Sequence, residues 1–204
     1  MKSRSLVCGM ALCLASSATF ATNFVIVDAD WPSGTGLMDP TPVAPVGANT
    51  GTTLGEQRLN VIRAATDYWG ARIDSAVDIH VEVKFTTSDC VIGSAVLAYG
   101  GPFVGYSAVV GPGSPTPQRV ASALFNALNG TDVTPENNFS LYRDIGITIN
   151  PAIDSGCDGN DGWWYDTNPE TPVQGNRIPL LPLVKEQIAH GLGVIIFGNP
   201  DTGD

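Results

Sequence analysis

The chain predicts an α+β domain. Three stretches repeat apolar residues at helical spacing, closing near residues 73, 130 and 191, while residues 76–85 and 145–149 alternate apolar and polar side chains as half-buried strands do. No internal repeat, coiled coil or low-complexity tract competes with that reading.

Residues 1–21 are set apart from the fold. Lys2 and Arg4 precede an apolar run from Leu6 to Ala15 that is too short to span a bilayer. Ser16-Ser17-Ala18 and Thr19-Phe20-Ala21 offer small-residue cleavage sites, so a signal peptide over 1–21 is expected, cut after Ala21 or, second, after Ala18, with one domain over 22–204. Cleavage removes two cations and no acid, leaving 8 basic residues against 20 acidic ones, a net charge of −12. An acidic, Lys-poor surface argues against nucleic acid and anionic membrane as partners and keeps an exported protein in solution. The expected location is extracellular or periplasmic. Two cysteines remain, Cys90 and Cys157; in an exported protein such a pair is most simply a disulfide, and no C-x-x-C spacing suggests zinc.

In order along the mature chain, Phe24 to Val27 is a strand candidate. Asp28 to Ala48 is rich in Asp, Pro and Gly and is expected to run over the surface as a connector, with a ligand-contacting arm as the less favoured reading. Thr53-Leu54-Gly55-Glu56 is a capping box opening a long amphipathic helix. Leu59, Ile62, Thr66, Trp69 and Ile73 form its inner face, Trp69 as a core anchor; Gln57, Arg58, Arg63 and Asp67 fall largely elsewhere. Ala76 to Phe85 places Val77, Ile79, Val81 and Val83 on one face and Asp78, His80, Glu82 and Lys84 on the other, which puts His80 on the solvent side.

Residues 94–98 and 107–110 read as two strands around a turn at Gly100-Gly101-Pro102. The glycines here and in 111–113 form no phosphate loop, so nucleotide binding has no support. Thr116-Pro117 reads as the start of a helix with Val120, Ala123, Leu124, Ala127 and Leu128 as its apolar stripe and Gly130 as its stop. Asn129 and Asn138 each open a glycosylation sequon, a weak pattern. Ile145, Ile147 and Ile149 alternate as a strand. Residues 157–162 form an acidic glycine loop without the ligand ladder or terminal Glu of a calcium loop; it reads as a turn, and calcium is not expected. Trp163 to Tyr165 follows as a strand, then a second loop, Asp166 to Asn176.

The stretch richest in chemistry is 183–193, Leu-Val-Lys-Glu-Gln-Ile-Ala-His-Gly-Leu-Gly. It predicts a helix, regular from Pro182 onward and closed by glycines, on which Glu186 and His190 share one face. Two metal-ligating side chains four apart before a glycine turn have the spacing of the zinc helix H-E-x-x-H. Glu186 stands at the first His, Gln187 at the general-base Glu and His190 at the second His.

With that helix go Asp39–Gly47, Asn49–Asn60, Trp69-Gly70-Ala71, the two separated cysteines and the Gly175-Asn176, Ile178 and Leu180-Leu181 approach. On these residues the chain resembles a group of exported bacterial zincin-type metallopeptidase-like proteins, often bearing a protease-associated domain, whose hallmark is H-E-F-A-H-G-L-G-F. The resemblance implies a zincin-like N-terminal subdomain, a twisted mixed sheet packed on two to three helices including the metal-site helix. The lower subdomain is expected to be absent or minimal, the chain being truncated at its C-terminus. It also implies the roles: Glu186 and His190 as zinc ligands, and Gln187 in the place of the base that deprotonates zinc-bound water. A neutral amide cannot accept that proton, which typically costs about 10²–10⁴ in rate. A third His would fall at position 196, which is Ile196. Zinc is therefore expected to be weakly held or absent. The function expected is that of a secreted metallopeptidase-like protein with little or no proteolysis, acting on or with a protein or peptide. An active endopeptidase with unusual ligands and an extracellular binding or structural module are the alternatives.

Overall fold

The computed structural model describes residues 21–110, 116–133 and 143–194. The expected leader, the sequon at Asn138, the glycines of 111–113 and position 196 lie outside the described residues, apart from Ala21 at the leader's end. In chain order the elements are β1 (Phe24–Asp28), α1 (Leu54–Gly70), β2 (Ile79–Phe85), β3 (Cys90–Val91), β4 (Ser94–Ala95), β5 (Ala98–Pro102), β6 (Gly105–Ala108), β7 (Gln118–Ala121), α2 (Ser122–Asn129), β8 (Ile145–Ile149), β9 (Trp163–Trp164), β10 (Ile178–Pro179) and α3 (Leu180–Gly191). The fold is mixed α+β, as expected, with three α-helices among the described residues.

One sheet carries the core, in the order β1-β2-β8-β5. β1 with β2 and β2 with β8 are parallel, whereas β5 runs antiparallel to β8 at the edge. Parallel neighbours need a crossover, and α1 supplies the one between β1 and β2. α1 packs against α3, and α3 in turn lies on β5 and β8. Val61, Ile62 and Ala65 of α1, Val81 and Val83 of β2, the three isoleucines of β8 and Leu180, Val184 and Ile188 of α3 make one buried cluster.

The capping box at Thr53 forms as read: its side chain accepts from the N–H of Glu56, whose carboxylate accepts from the Thr53 N–H. The remaining orphan donors of that helix end are met from an unexpected quarter. Leu54 N–H donates to the Thr41 carbonyl at 2.9 Å and Gly55 N–H to that of Asp39 at 3.0 Å. Asp28 to Ala48 does run largely over the surface, as expected, but it also caps α1 through Asp39 and Thr41, and its Leu37 belongs to the core. Gly55 permits the contact, since a Cβ there would lie 2.6 Å from the Asp39 nitrogen and the Leu37 carbonyl oxygen.

Five other expectations are corrected. His80 does not face solvent but is buried, because β2 is an interior strand whose leading end is covered by the residues around Asp144. Gly100-Gly101-Pro102 is no turn; these residues complete β5 and pair with Ile147, Gly146 and Ile145. Thr116-Pro117 opens no helix either: the chain enters β7 first, and α2 starts only at Ser122. The inner face of α2 is polar in part. Ser122 and Asn126 are buried against Asp144, which turns Leu124 and Leu128 outward. Finally, Gln57 and Arg58 of α1 are buried, although both are polar. Cys90 and Cys157 form the expected disulfide, joining β3 to the turn that follows Pro151–Ser155.

Candidate functional site on α3

Leu180 and Leu181 begin α3 two residues before the expected start. Pro182 is accommodated because it sits in the first turn, where an N–H has no helical acceptor to reach. Leu180, Val184, Ile188 and Gly191 recur on the buried face. Pro182, Glu186 and His190 recur one turn apart on another face; Glu186 is exposed and His190 half-buried. The helix thus brings Glu186 and His190 to one side, as their spacing predicts. Its position is set from outside: the Trp69 indole N–H of α1 donates to the Lys185 carbonyl at 3.0 Å, and the Lys185 ammonium lies 4.1 Å from the Tyr68 ring centroid.

Gly191 has a packing role beyond ending the helix. A Cβ at this residue would stand 2.3 Å from Cγ2 of Ile145 and 2.7 Å from Cγ1, atoms of a β-branched side chain fixed in the sheet. Gly191→Ala is accordingly expected to destabilise the fold by about 1–3 kcal/mol, against the gain of about 1 kcal/mol that this exchange gives in an ordinary helix. Urea denaturation of the two proteins measures the sign.

Gln187 faces the other way from Glu186. It is buried on β5, its Cβ 2.9 Å and its Oε1 3.3 Å from the point where Gly100 would carry a Cβ. The position that resembles the general base therefore lies under the edge strand. A carboxylate placed there loses hydration, which raises its folded pKa above the unfolded value near 4.3. Gln187→Glu is expected to match the wild type in stability at about pH 4 and to fall behind as pH rises through that folded pKa, by about 1–3 kcal/mol at pH 7. Thermal unfolding across that range checks it.

The second imidazole has neighbours of its own. His80 Nδ1 is 4.0 Å from Asp144 Oδ2, and the same carboxylate accepts from the His80 backbone N–H at 3.0 Å. Burial raises the pKa of Asp144, against the hydrogen bond from His80, and nearby Asp132 raises it further. Asn126 donates to both Asp144 and Asp132, so this end of the sheet is a polar knot closed by α2.

The chain matches no protein-family model, no curated protein and no solved structure.

A catalytic zinc takes three protein ligands and a water. α3 presents two donors, Glu186 and His190, and among the described residues no group of three or more His, Cys, Asp or Glu side chains is placed to hold a metal. The donors on α3 fall one short of that requirement. The charged centre that sequence reading missed lies elsewhere, around Arg58. Its guanidinium meets Asp154 at 3.0 Å, Asp39 at 3.3 Å, the Gly36 carbonyl at 3.1 Å and the Tyr165 hydroxyl at 3.3 Å. Only the Asp39 and Arg58 pair could have been sought locally; Asp154 and Tyr165 are 96 and 107 positions away.

Proposed function

We propose that the chain is an exported protein of zincin-like architecture whose metal helix survives as structure and performs little or no proteolysis. The observation that carries this reading is the disposition of α3. Glu186 and His190 stand together on an outward side, with spacing that suits metal ligation, whereas Gln187, in the place of the base, is a neutral amide packed under β5. A peptidase at this site would need a third ligand and a proton acceptor in addition. The mixed sheet with an antiparallel edge strand beside the motif helix agrees with the architecture that the resemblance implies. Export is supported by the disulfide; no described helix is long and apolar enough to cross a membrane.

The test is metal content and hydrolysis measured on the same mature protein after purification in zinc-supplemented buffer. Substoichiometric zinc and no cleavage of unfolded casein are expected. Stoichiometric zinc together with casein cleavage that disappears in His190→Ala would overturn the reading in favour of an active endopeptidase. Glu186→His is expected to strengthen zinc retention at the exposed position, since imidazole replaces a carboxylate where the motif has its first ligand.

A further inference from the structure

A cavity of about 410 Å³ opens beside the segment that follows β8. Asp154 lines it, five residues past the last residue of β8, whereas Gly191 of α3 packs on Ile145, the first residue of β8. The cavity and His190 therefore lie toward opposite ends of the sheet. Val46 and Trp163 give it apolar walls, and its polar side chains are Gln57, Asp154, Asp161, Tyr165 and Arg177.

Apart from Arg177 at the rim, these groups offer acceptors. Gln57 is 1% exposed, and its amide NH₂ already donates to the Ala44 carbonyl at 2.7 Å and the Gly51 carbonyl at 3.0 Å. What remains to it is an acceptor, Oε1. Asp154 uses Oδ2 to accept from Arg58 and from the Tyr165 hydroxyl, which leaves its other oxygen as an acceptor too. Behind the wall, one guanidinium serves two carboxylates, Asp39 and Asp154, so this cluster carries one negative charge in excess. Asp161 adds a second at the mouth, which the Arg177 charge offsets, so one negative charge remains in excess. Arg177 is exposed there, with its guanidinium carbon 5.9 Å from the Trp164 ring centroid, and makes no ion pair among the described residues.

Acceptors on the floor and excess negative charge select a donor-rich cation, and the hydrocarbon walls select an apolar body attached to it. A bare divalent ion fits poorly, because it wants six or more oxygens and one of the two Asp154 oxygens is already taken by Arg58 and Tyr165. An isolated carboxylate or phosphate would meet like charge. We propose that this cavity binds a primary ammonium group carried on an apolar body, supplied by a free apolar amino acid or by the amino terminus of a peptide. For the free amino acid, Arg177 is the partner for the carboxylate. The site stands apart from α3 and does not depend on whether zinc is bound there.

Calorimetric titration of the disulfide-bonded protein with leucine, leucinamide, Leu-Gly-Gly and N-acetylleucine tests this. Leucine and leucinamide are expected to bind and N-acetylleucine, which lacks the cation, is not. Asp161→Asn, a surface exchange, is expected to weaken leucinamide about two- to fivefold. Arg177→Gln lowering the affinity for leucine by a similar factor while leaving leucinamide unchanged assigns the site to free amino acids. Leu-Gly-Gly binding at least as tightly as leucine, without effect of Arg177→Gln, assigns it to peptide termini. The proposal fails if none of the four binds up to about 10 mM, if N-acetylleucine binds as well as leucine, or if Val46→Trp, which fills the cavity, leaves binding unchanged in a protein of native stability.

Discussion

Arg58→Met is expected to lower stability at pH 7 by about 3–5 kcal/mol, the range in which removing one member of a buried ion pair usually falls. Methionine keeps most of the side-chain volume, so the loss reports on charge and hydrogen bonds rather than on a cavity. It leaves Asp39, Asp154, the Gly36 carbonyl and the Tyr165 hydroxyl without the group that holds them together. It also removes a guanidinium stacked 4.4 Å from the Phe85 ring centroid. Lysine is not expected to rescue the fold, since one ammonium cannot span two carboxylates, a carbonyl and a hydroxyl. Burial pushes the Tyr165 pKa far above its ordinary value, so the phenol stays a neutral donor to Asp154 at every accessible pH.

The same substitution has a pH signature. Burial works against the ionisation of Asp39, but the hydrogen bonds from Thr41 and the charge of Arg58 outweigh it and hold the folded pKa below the ordinary 3.8. A depressed carboxylate pKa contributes stability that is present above the unfolded value and is lost as pH falls through the folded one. The gap between wild type and Arg58→Met is therefore expected to be constant from about pH 5 to 8 and to narrow below about pH 4. Guanidinium denaturation at several pH values measures both the gap and its closure. A gap that does not narrow as the pH is lowered below about 4 would remove Asp39 from the account.

Loss of the Cys90–Cys157 bond is the other large effect. The two cysteines are 67 positions apart, and closing a loop of that length in the unfolded chain is worth about 4 kcal/mol in the chain-entropy account. Cys90→Ser/Cys157→Ser, made together so that no lone thiol is left, is expected to lose about that much. Dithiothreitol should do the same to the wild type, since both cysteines are only half-buried. Cys157 is three residues beyond Asp154, on the turn that Pro151–Ser155 begins. The disulfide and the Arg58 cluster thus hold the same turn from two sides. Combining the two changes is expected to depart from additivity by more than about 0.5 kcal/mol, which a double-mutant cycle detects.

Local signals suffice for several elements, independently of packing. The Thr53 box marks the start of α1 because a hydroxyl and a carboxylate three residues apart satisfy backbone donors without help from the rest of the chain. Isoleucines at 145, 147 and 149 mark β8 because alternation is a property of the extended backbone itself. Glu186 and His190 share a side of α3 for the same kind of reason, 3.6 residues per turn. His80 and Gly100 were misread because alternation tells which side chains point the same way, and not whether a side is covered. A glycine pair before proline looks like a turn unless a partner strand is known, and β8 is that partner.

By itself, then, the order of residues determined the α+β class, the helix that carries Glu186, Gln187 and His190, and the pairing of the last two cysteines. Each depends on interactions within a few residues or on simple counting. Tertiary structure alone decided that Gln187 lies under β5, that His80 is enclosed beside Asp144, and that Arg58 gathers carboxylates from positions 39 and 154. The physical reason is that desolvation and charge pairing act through space. A polar residue on an amphipathic helix carries no mark of whether water or a distant segment of chain will cover it.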